Sequence, residues 1–333
     1  MRRTALSILA GLVTLAGIFV IPRPPPKPLS QAGDTPARIT SIIDLPGAFL
    51  VTVGLLCLMF ALSEGNIVGW SKPYIPVLIV LAVLLIIAFV FWQRYLERHE
   101  NDTELNPRKR WFKQPLMRTS IWQNPRFSAA QVIMLLFFAA FNNFLVYATY
   151  FYQEYQGLSI IETTLRFIPT GAVGLFTALL SSQILGRIKG VYVLVWGCTC
   201  VAVACLLFAV PIKPSTSYFA YGLEAMSLSV FGADTVYPCL TLFTVQSLPP
   251  EHQAMGGGIV NAVGQLGRSL GLAIAVAVET SVRTKALHNG VVEKEALLQG
   301  YRAAEYLSFG MGAAALCIAA VAFRKAGVVA QKK

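Results

Sequence analysis

Charged residues are scarce in this sequence of 333 residues. They make up 13% of the chain and apolar residues 56%, whereas a soluble domain carries about 25% charged residues. So few charges do not cover the surface of a soluble protein of this length. The net charge of +11 does not indicate nucleic-acid binding, because the basic residues stand in short clusters between long apolar runs. The composition therefore predicts an integral membrane protein.

Signatures of catalysis and of metal binding are also missing. The sequence has no phosphate-binding loop and no HExxH motif. Its three histidines stand apart, without a second histidine at metal-ligand spacing. Cys198 and Cys200 lack the two-residue spacer of a zinc site, and all six cysteines lie in apolar runs, which favours a packing role. The sequence predicts neither an enzyme nor a bound metal or cofactor.

Long apolar runs are what the sequence has instead. Since a helix needs about 20 apolar residues to cross a bilayer, nine runs qualify as spans, and none shows the alternation of a barrel strand. The sequence predicts an all-α, polytopic membrane protein with about nine transmembrane helices. The predicted spans cover residues 4–21, 48–63, 75–91, 128–150, 164–185, 191–210, 219–245, 256–278 and 305–323.

The basic residues of the loops predict the orientation. The loops on one side carry roughly twice as many Lys and Arg residues as those on the other, and the positive side faces the cytoplasm. The basic stretch 93–127 is then a cytoplasmic loop, the stretch 279–303 is an outer loop, and the C-terminus is cytoplasmic. The basic loop is interpreted as a solvated connector or as a segment lying on the membrane surface.

Polar residues inside the fourth predicted span suggest a substrate pathway. Asn143, Tyr147 and Tyr150 are spaced i, i+4, i+7 and share one helical face, with Gln153 just beyond it. Such a stripe suits a cavity for an organic substrate. The alternative is an aromatic belt at the membrane interface, which fits Tyr150 better than Asn143.

Charged residues within spans are costly and mark either packing partners or a pathway. Asp234 lies about 22 Å into the seventh span, and Arg268 about 18 Å into the eighth, so that two antiparallel helices can bring them together. They are interpreted as a structural ion pair or as a site of proton coupling, and Glu224 joins them as a candidate nearer the outer edge. Arg166 at the start of the fifth span either extends outward or contacts an anionic substrate.

Several motifs, in order along the chain, resemble the fungal fourteen-span drug:proton antiporters of the major facilitator superfamily, in particular the branch of the aminotriazole-resistance and low-affinity ammonium transporters. The resemblance covers nearly the whole chain, although each motif alone is only moderately specific. The motifs are Asp44-Leu45-Pro46-Gly47, Tyr150–Gln153 with Gly157-Leu158-Ser159, Leu165–Pro169 with Gly171 and Gly174, Gly186–Gly190, Phe231–Asp234, Ser247–Gln253, and Gly258 with Asn261–Gly271.

The resemblance implies a partial major-facilitator fold. Residues 1–21 correspond to the last helix of the N-terminal half, 22–92 to a linker with two extra central spans, 93–127 to the cytoplasmic loop, and 128–333 to the six-helix C-terminal half. Gly186, Arg187 and Gly190 correspond to the superfamily's conformational loop. Five N-terminal spans of the family have no counterpart, so the resemblance implies an N-terminally truncated chain.

The function implied by the resemblance is secondary active transport, with efflux of a drug, toxin or secondary metabolite in exchange for protons across the plasma membrane. The partners are then a small-molecule substrate, protons and the lipid bilayer. Two alternatives to this function stay open. Because alternating access rocks two halves against each other, the chain could instead be an inactive or associating membrane fragment. The other alternative is a transporter of ammonium or another small ion.

Overall fold

The structure is a computed structural model and describes residues 44–69, 72–105, 115–210, 217–249 and 253–324. Throughout these residues the regular structure is helical, without strands. A short 3₁₀ helix, Thr119–Gln123, precedes α3, and one π-helical turn, Phe151–Tyr155, extends it. The α-helices are α1 (Leu45–Val68), α2 (Tyr74–Leu105), α3 (Pro125–Tyr150), α4 (Ile160–Arg166), α5 (Ile168–Arg187), α6 (Gly190–Ala209), α7 (Tyr218–Gln246), α8 (Gln253–His288) and α9 (Glu293–Ala322).

Eight helical stretches of the described residues are long and apolar enough to cross a membrane, which confirms the prediction of a polytopic all-α membrane protein. Helices α4 and α5 together form one of them, because the chain breaks only at Phe167 and resumes with Pro169 in the first turn of α5. The first predicted span, residues 4–21, lies outside the described residues.

Two predicted loops are largely helical. Helix α2 continues to Leu105, α8 ends only at His288, and α9 already begins at Glu293. The stretch 279–303 was predicted as a loop, but it is helical except for a short turn around Gly290 that separates α8 from α9. The charged residues of these stretches end the apolar runs, but they are good helix formers and do not end the helices.

The core of the bundle lies around α3. This helix packs against α8 and α9, while α6 packs against α7 and α9, and α5 packs against α7. The aromatic rings of Phe137 and Phe144 are fully buried in the core, whereas Leu175, Phe176 and Leu179 of α5 are exposed. Because exposed apolar side chains suit a lipid environment, the pattern places α5 at the periphery and α3 at the centre.

Small residues bring the helices close together. In α8, a Cβ atom at Gly267 would collide with the carbonyl oxygen of Leu135 in α3, and one at Gly271 would collide with Ala139. The close approach of helices expected for this Gly-x-x-x-Gly pair is thus present between α8 and α3. A second close approach joins α6 to α7, where Gly197 faces Gly232.

Candidate functional site

Several polar side chains of α7 and α8 converge in a pocket between α3, α7 and α8. The pocket has a volume of about 250 Å³. Its walls are partly aromatic, and one carboxylate, one guanidinium and two carboxamides line it. A pocket of this kind combines apolar contact area with a few orienting polar groups, as small-molecule sites do. The lining residues include Phe138, Phe141, Asp234, Tyr237, Asn261, Gln265 and Arg268.

Asp234 is held at the junction of α7 with α5. It is half-buried, and a Cβ atom at Gly174 of α5 would lie 3.1 Å from its Oδ2 atom. Pro238 lies within α7, four residues further on. Because proline has no N–H group, it leaves the backbone carbonyl of Asp234 without its usual helical hydrogen bond. The side chain and the backbone of Asp234 therefore both offer oxygen acceptors at the same level of the bundle.

Arg268 reaches the pocket from α8. Its guanidinium carbon lies 4.7 Å from the centre of the Phe138 ring, a cation–π contact. Among the described residues no salt bridge joins Arg268 to Asp234, although both line the pocket. The structure thus brings the two predicted residues together without pairing their charges directly. This arrangement leaves both charged groups available to a ligand.

Two further contacts shape the pocket wall. The hydroxyl of Tyr237 lies 3.5 Å from the Asn261 side-chain oxygen, and the rings of Tyr237 and Phe138 meet edge to face with centroids 5.8 Å apart. These contacts join α3, α7 and α8 around one opening. Neither Tyr237 nor Asn261 was a predicted site residue. Tyr237 lies three residues after Asp234 on the same helix, and this spacing was the signal that could have identified it.

The predicted stripe of α3 lies elsewhere. Asn143 and Tyr147 are buried in the helix packing, where the Asn143 amide donates to the carbonyl oxygen of Gly271 at 3.2 Å. Tyr150 is 39% exposed, and Gln153 is half-buried within the π-helical turn. The stripe faces α8 and α9, and its residues are not among the lining residues of the Asp234–Arg268 pocket.

Arg166 lies in a third place, near the end of the bundle that holds the α8–α9 turn. Its guanidinium carbon lies 4.9 Å from the ring centre of Tyr152 and 5.3 Å from that of Tyr218. One guanidinium nitrogen also donates to the Gln156 side chain at 2.8 Å. Arg166 is thus held by aromatic rings in a shallow apolar groove between α4, α5 and α7. Glu224 is exposed on α7.

The predicted conformational loop is short. Arg187 ends α5, Ile188 and Lys189 connect, and Gly190 begins α6. Arg187 is exposed, while Gly190 is buried and its carbonyl oxygen lies 3.9 Å from the Cys239 sulfur of α7. The loop therefore contacts α7, the helix that carries Asp234.

A motif within α8, Gly267-Arg268-Ser269-Leu270-Gly271, matches the Gly-x-Ser-x-Gly pattern of a hydrolase nucleophile elbow. Such an elbow is a sharp turn between a strand and a helix. Here Ser269 lies inside the continuous helix α8, and its hydroxyl contacts the sulfur of Met59 in α1 at 3.3 Å. The run packs helices together and does not form an elbow.

Sequence reasoning missed Glu305. It treated this residue as the first of the last span, but Glu305 lies about 18 Å along α9 from its start at Glu293 and is only 2% exposed. The signal was present in the small residues Ala296, Gly300 and Ala304 upstream, which recur at helical spacing and indicate a buried face.

Comparison with known proteins identifies relatives of this chain. Residues 65–272 match the family model described as Major Facilitator Superfamily. The chain is 26% identical over 320 residues to the aminotriazole resistance protein of Saccharomyces cerevisiae, covering 94% of this chain and 52% of that protein.

Two further relatives have comparable similarity. The low affinity ammonium transporter of the same yeast is 24% identical, with 95% of this chain and 56% of the relative covered. The efflux pump terJ of Aspergillus terreus is 26% identical, with 94% of this chain and 55% of the relative covered. The chain thus spans about half the length of the curated relatives that it matches.

Proposed function

Because this chain belongs to the Major Facilitator Superfamily, we propose that it acts in a secondary transporter that exports a small organic compound in exchange for protons. The pocket between α3, α7 and α8 is the observation that carries the proposal. It offers aromatic walls for an organic molecule, and it holds Asp234 and Arg268 without a salt bridge between them. The relatives named as an efflux pump and a resistance protein support export as the direction.

Each polar group of the pocket has a proposed role. Asp234 binds the coupling proton and releases it when the substrate arrives, since an ionisable side chain within a span is costly and typically marks an ion or proton pathway. Arg268 orients an electronegative group of the substrate. Phe138, Phe141 and Tyr237 contact its apolar part. Glu224 is exposed and therefore less suited than Asp234 to proton coupling within the pocket.

Alternating access requires two helical bundles that move against each other around a midplane site. Helices α3 to α9 form one such bundle among the described residues. As a second candidate function, we propose that this bundle associates with another helical bundle, as alternating access requires. Gly186, Arg187 and Gly190 then belong to the hinge region between paired helices of the bundle.

Ammonium is the other substrate to be considered, because one relative is named as a low affinity ammonium transporter. Asp234 would attract this cation, but Arg268 lies in the same pocket and repels it. The aromatic walls also exceed what so small an ion requires. The pocket therefore favours an organic substrate.

Flux measurements on the purified chain in liposomes test the proposal. When a pH gradient is imposed, we expect radiolabelled aminotriazole to move in the direction opposite to the protons. We expect the Asp234→Asn variant to lose this dependence on pH, and methylammonium to move poorly. Ser227→Ala is the matched control on α7, since the Ser227 hydroxyl bonds only to Leu223 of its own helix. Unchanged pH-driven flux in Asp234→Asn would show that Asp234 does not couple. Absence of any flux would favour the associating bundle.

A further inference from the structure

Glu305 is a buried carboxyl group that the proposed pocket does not use. It lies in α9 where this helix packs against α3 and α6, and neither of its carboxyl oxygens has a hydrogen-bond partner among the described residues. The thiol of Cys205 in α6 lies beside the carboxyl, but its sulfur is directed at the carbonyl oxygen of Ala140, 3.8 Å away. The carboxyl group is therefore enclosed without being satisfied.

Two more buried polar atoms near α9 lack partners. The hydroxyl of Tyr147 and the side-chain oxygen of Asn143, both on α3, have no hydrogen-bond partner among the described residues. Asn143 is 0% and Tyr147 2% exposed. Glu305 and Glu279 both lie close enough to act electrostatically on the Tyr147 hydroxyl. Three side chains of α3 and α9, Glu305, Tyr147 and Asn143, thus each hold at least one buried oxygen without a partner, although buried polar groups are nearly always hydrogen-bonded.

A line of ionisable and hydroxyl groups leads from this place to the α8–α9 end of the bundle. Tyr301 lies one helical turn before Glu305, and its ring centre is 5.8 Å from that of Tyr147. The Tyr301 hydroxyl donates a hydrogen bond to the carboxylate of Glu154, which is exposed in the π-helical turn. π-helical turns are frequent at functional sites.

Glu279 of α8 borders the same line from the other side. Its Oε1 atom would lie 3.2 Å from a Cβ atom at Gly300, so the absence of a side chain at Gly300 leaves room for this carboxylate beside α9. Tyr301 is also within electrostatic reach of Glu279 and Arg283. The groups that face the line thus include Tyr147 and Tyr150 from α3, Cys205 from α6, Glu279 and Arg283 from α8, and Glu154 from the π-helical turn.

An ionised carboxylate that is buried without a partner is strongly unfavourable, so Glu305 requires a bound cation. A metal ion would need several oxygen ligands held around it, and among the described residues no group of three or more acidic, histidine or cysteine side chains is arranged to bind one. Tyrosine hydroxyls and carboxyl groups pass protons readily. The arrangement therefore suits a proton and a route for its exchange.

We propose that Glu305 is a second, buried proton-binding site near the Tyr147 hydroxyl, and that protons reach it from the α8–α9 end through Tyr301, Glu154 and Glu279. The site lies on the α9 side of α3, apart from the pocket of Asp234. The role of this site in driving export rests on the proposed function. Proton binding at Glu305 is independent of the proposed function, because the binding requires only the described bundle.

Infrared difference spectroscopy of the purified full chain in lipid nanodiscs, without substrate, tests proton binding. Between acidic and strongly alkaline samples we expect a difference band from a carboxyl C=O in the region typical of groups without hydrogen bonds, and we expect Glu305→Gln to remove it. The control Glu293→Gln replaces an exposed carboxylate near the start of α9 and should leave the band in place. A band that persists in Glu305→Gln, or one that sodium ions suppress at constant pH, would overturn the proposal.

Tyr301→Phe tests the route. This variant keeps the ring packing but removes the hydroxyl that contacts Glu154, and we expect proton exchange at the Glu305 band to slow at least several-fold after a pH jump. Tyr306→Phe on the exposed side of α9 is the control. An unchanged rate in Tyr301→Phe would refute the route. Since no transport is measured, failure here is separate from failure of the flux experiment.

Discussion

At the scale of single residues, the surroundings of a glycine decide its role. Gly264 and Gly267 both lie on α8 and are both buried. A Cβ atom at Gly264 would have its nearest neighbour at 3.7 Å, in the ring of Phe138, which is ordinary van der Waals contact. A Cβ atom at Gly267 would meet the backbone of Leu135, which cannot swing aside as a side chain can. Of these two glycines, only Gly267 is therefore required for the contact between α8 and α3.

We expect Gly267→Ala to destabilise the bundle by about 1–3 kcal/mol, as overpacking of a close-packed core does. Gly264→Ala is the matched control and should be neutral or slightly stabilising, since alanine favours helix more than glycine. Thermal unfolding of both variants in detergent, followed by size-exclusion chromatography, measures the difference. Equal midpoints for the two variants would show that α3 and α8 are less closely packed than described.

Sequence reasoning placed Asp234 and Arg268 well, because the rise of a helix and the antiparallel direction of consecutive spans fix the level of a residue within a bundle. It placed Asn143 and Tyr147 on one face, as the structure confirms, but it could not say which helices that face meets. It missed Glu305 because a span predicted from hydropathy begins where the charged residues stop, and the last of these before the apolar run is Glu305 itself. Partners across helices, such as Cys205 beside Glu305, leave no local pattern.

At the scale of helices, Asp44 joins α1 to α2. Its carboxylate accepts from the Gly47 backbone N–H and from Trp92 Nε1, both at 2.9 Å, and from Gln93 Nε2 at 2.6 Å. Asp44 therefore caps α1 and satisfies two donors of α2. A Cβ atom at Gly47 would collide with the Asp44 carboxylate and with Gln93, which explains the glycine of the Asp-x-x-Gly motif.

The same end of α2 also holds the segment before α3. The side-chain oxygen of Gln93 accepts from the Met117 N–H at 3.1 Å, and Glu97 accepts from the Thr119 N–H at 3.0 Å. The polar contacts of Asp44 thus continue through α2 to the 3₁₀ helix that begins at Thr119. The two-helix unit is thereby connected to the six-span bundle by directed hydrogen bonds.

We expect Asp44→Ala to lower stability by about 2 kcal/mol, through the loss of the helix cap and of the acceptor for two buried or half-buried donors. Thr52→Ala, an exposed change on the same helix, should stay within about 0.5 kcal/mol of the parent. Thermal unfolding again measures the effect, and near-ultraviolet circular dichroism reports the surroundings of Trp92. If Asp44→Ala leaves both measurements unchanged, Asp44 does not connect α1 with α2.

At the scale of the whole molecule, the described residues form one six-span bundle with a two-helix unit beside it. The two units meet where α1 packs against α8, at Met59 and Ser269. The pocket of Asp234 and the buried Glu305 lie on different sides of α3. The central helix α3 is therefore the element that both sites border.

The orientation of the bundle in the membrane decides which side supplies protons to Glu305. Ser120 precedes α3 and Asn289 follows α8, and both are exposed. The spans between them are α3, α4 with α5, α6, α7 and α8, an odd number, so the two residues should lie on opposite sides. The basic residues near Ser120 predict that this residue lies in the cytoplasm, and Asn289 and the Tyr301 route are then expected to lie outside.

We expect a membrane-impermeant maleimide to label Asn289→Cys on intact cells and Ser120→Cys only after permeabilisation. Background labelling should be low, because the six native cysteines all lie within the candidate membrane spans, where an impermeant reagent does not reach them. The reverse pattern would invert the orientation and make the cytoplasm the source of protons for Glu305. Labelling of both variants from one side would contradict an odd number of membrane crossings between Ser120 and Asn289. It would then also contradict the assignment of α4 and α5 to a single span.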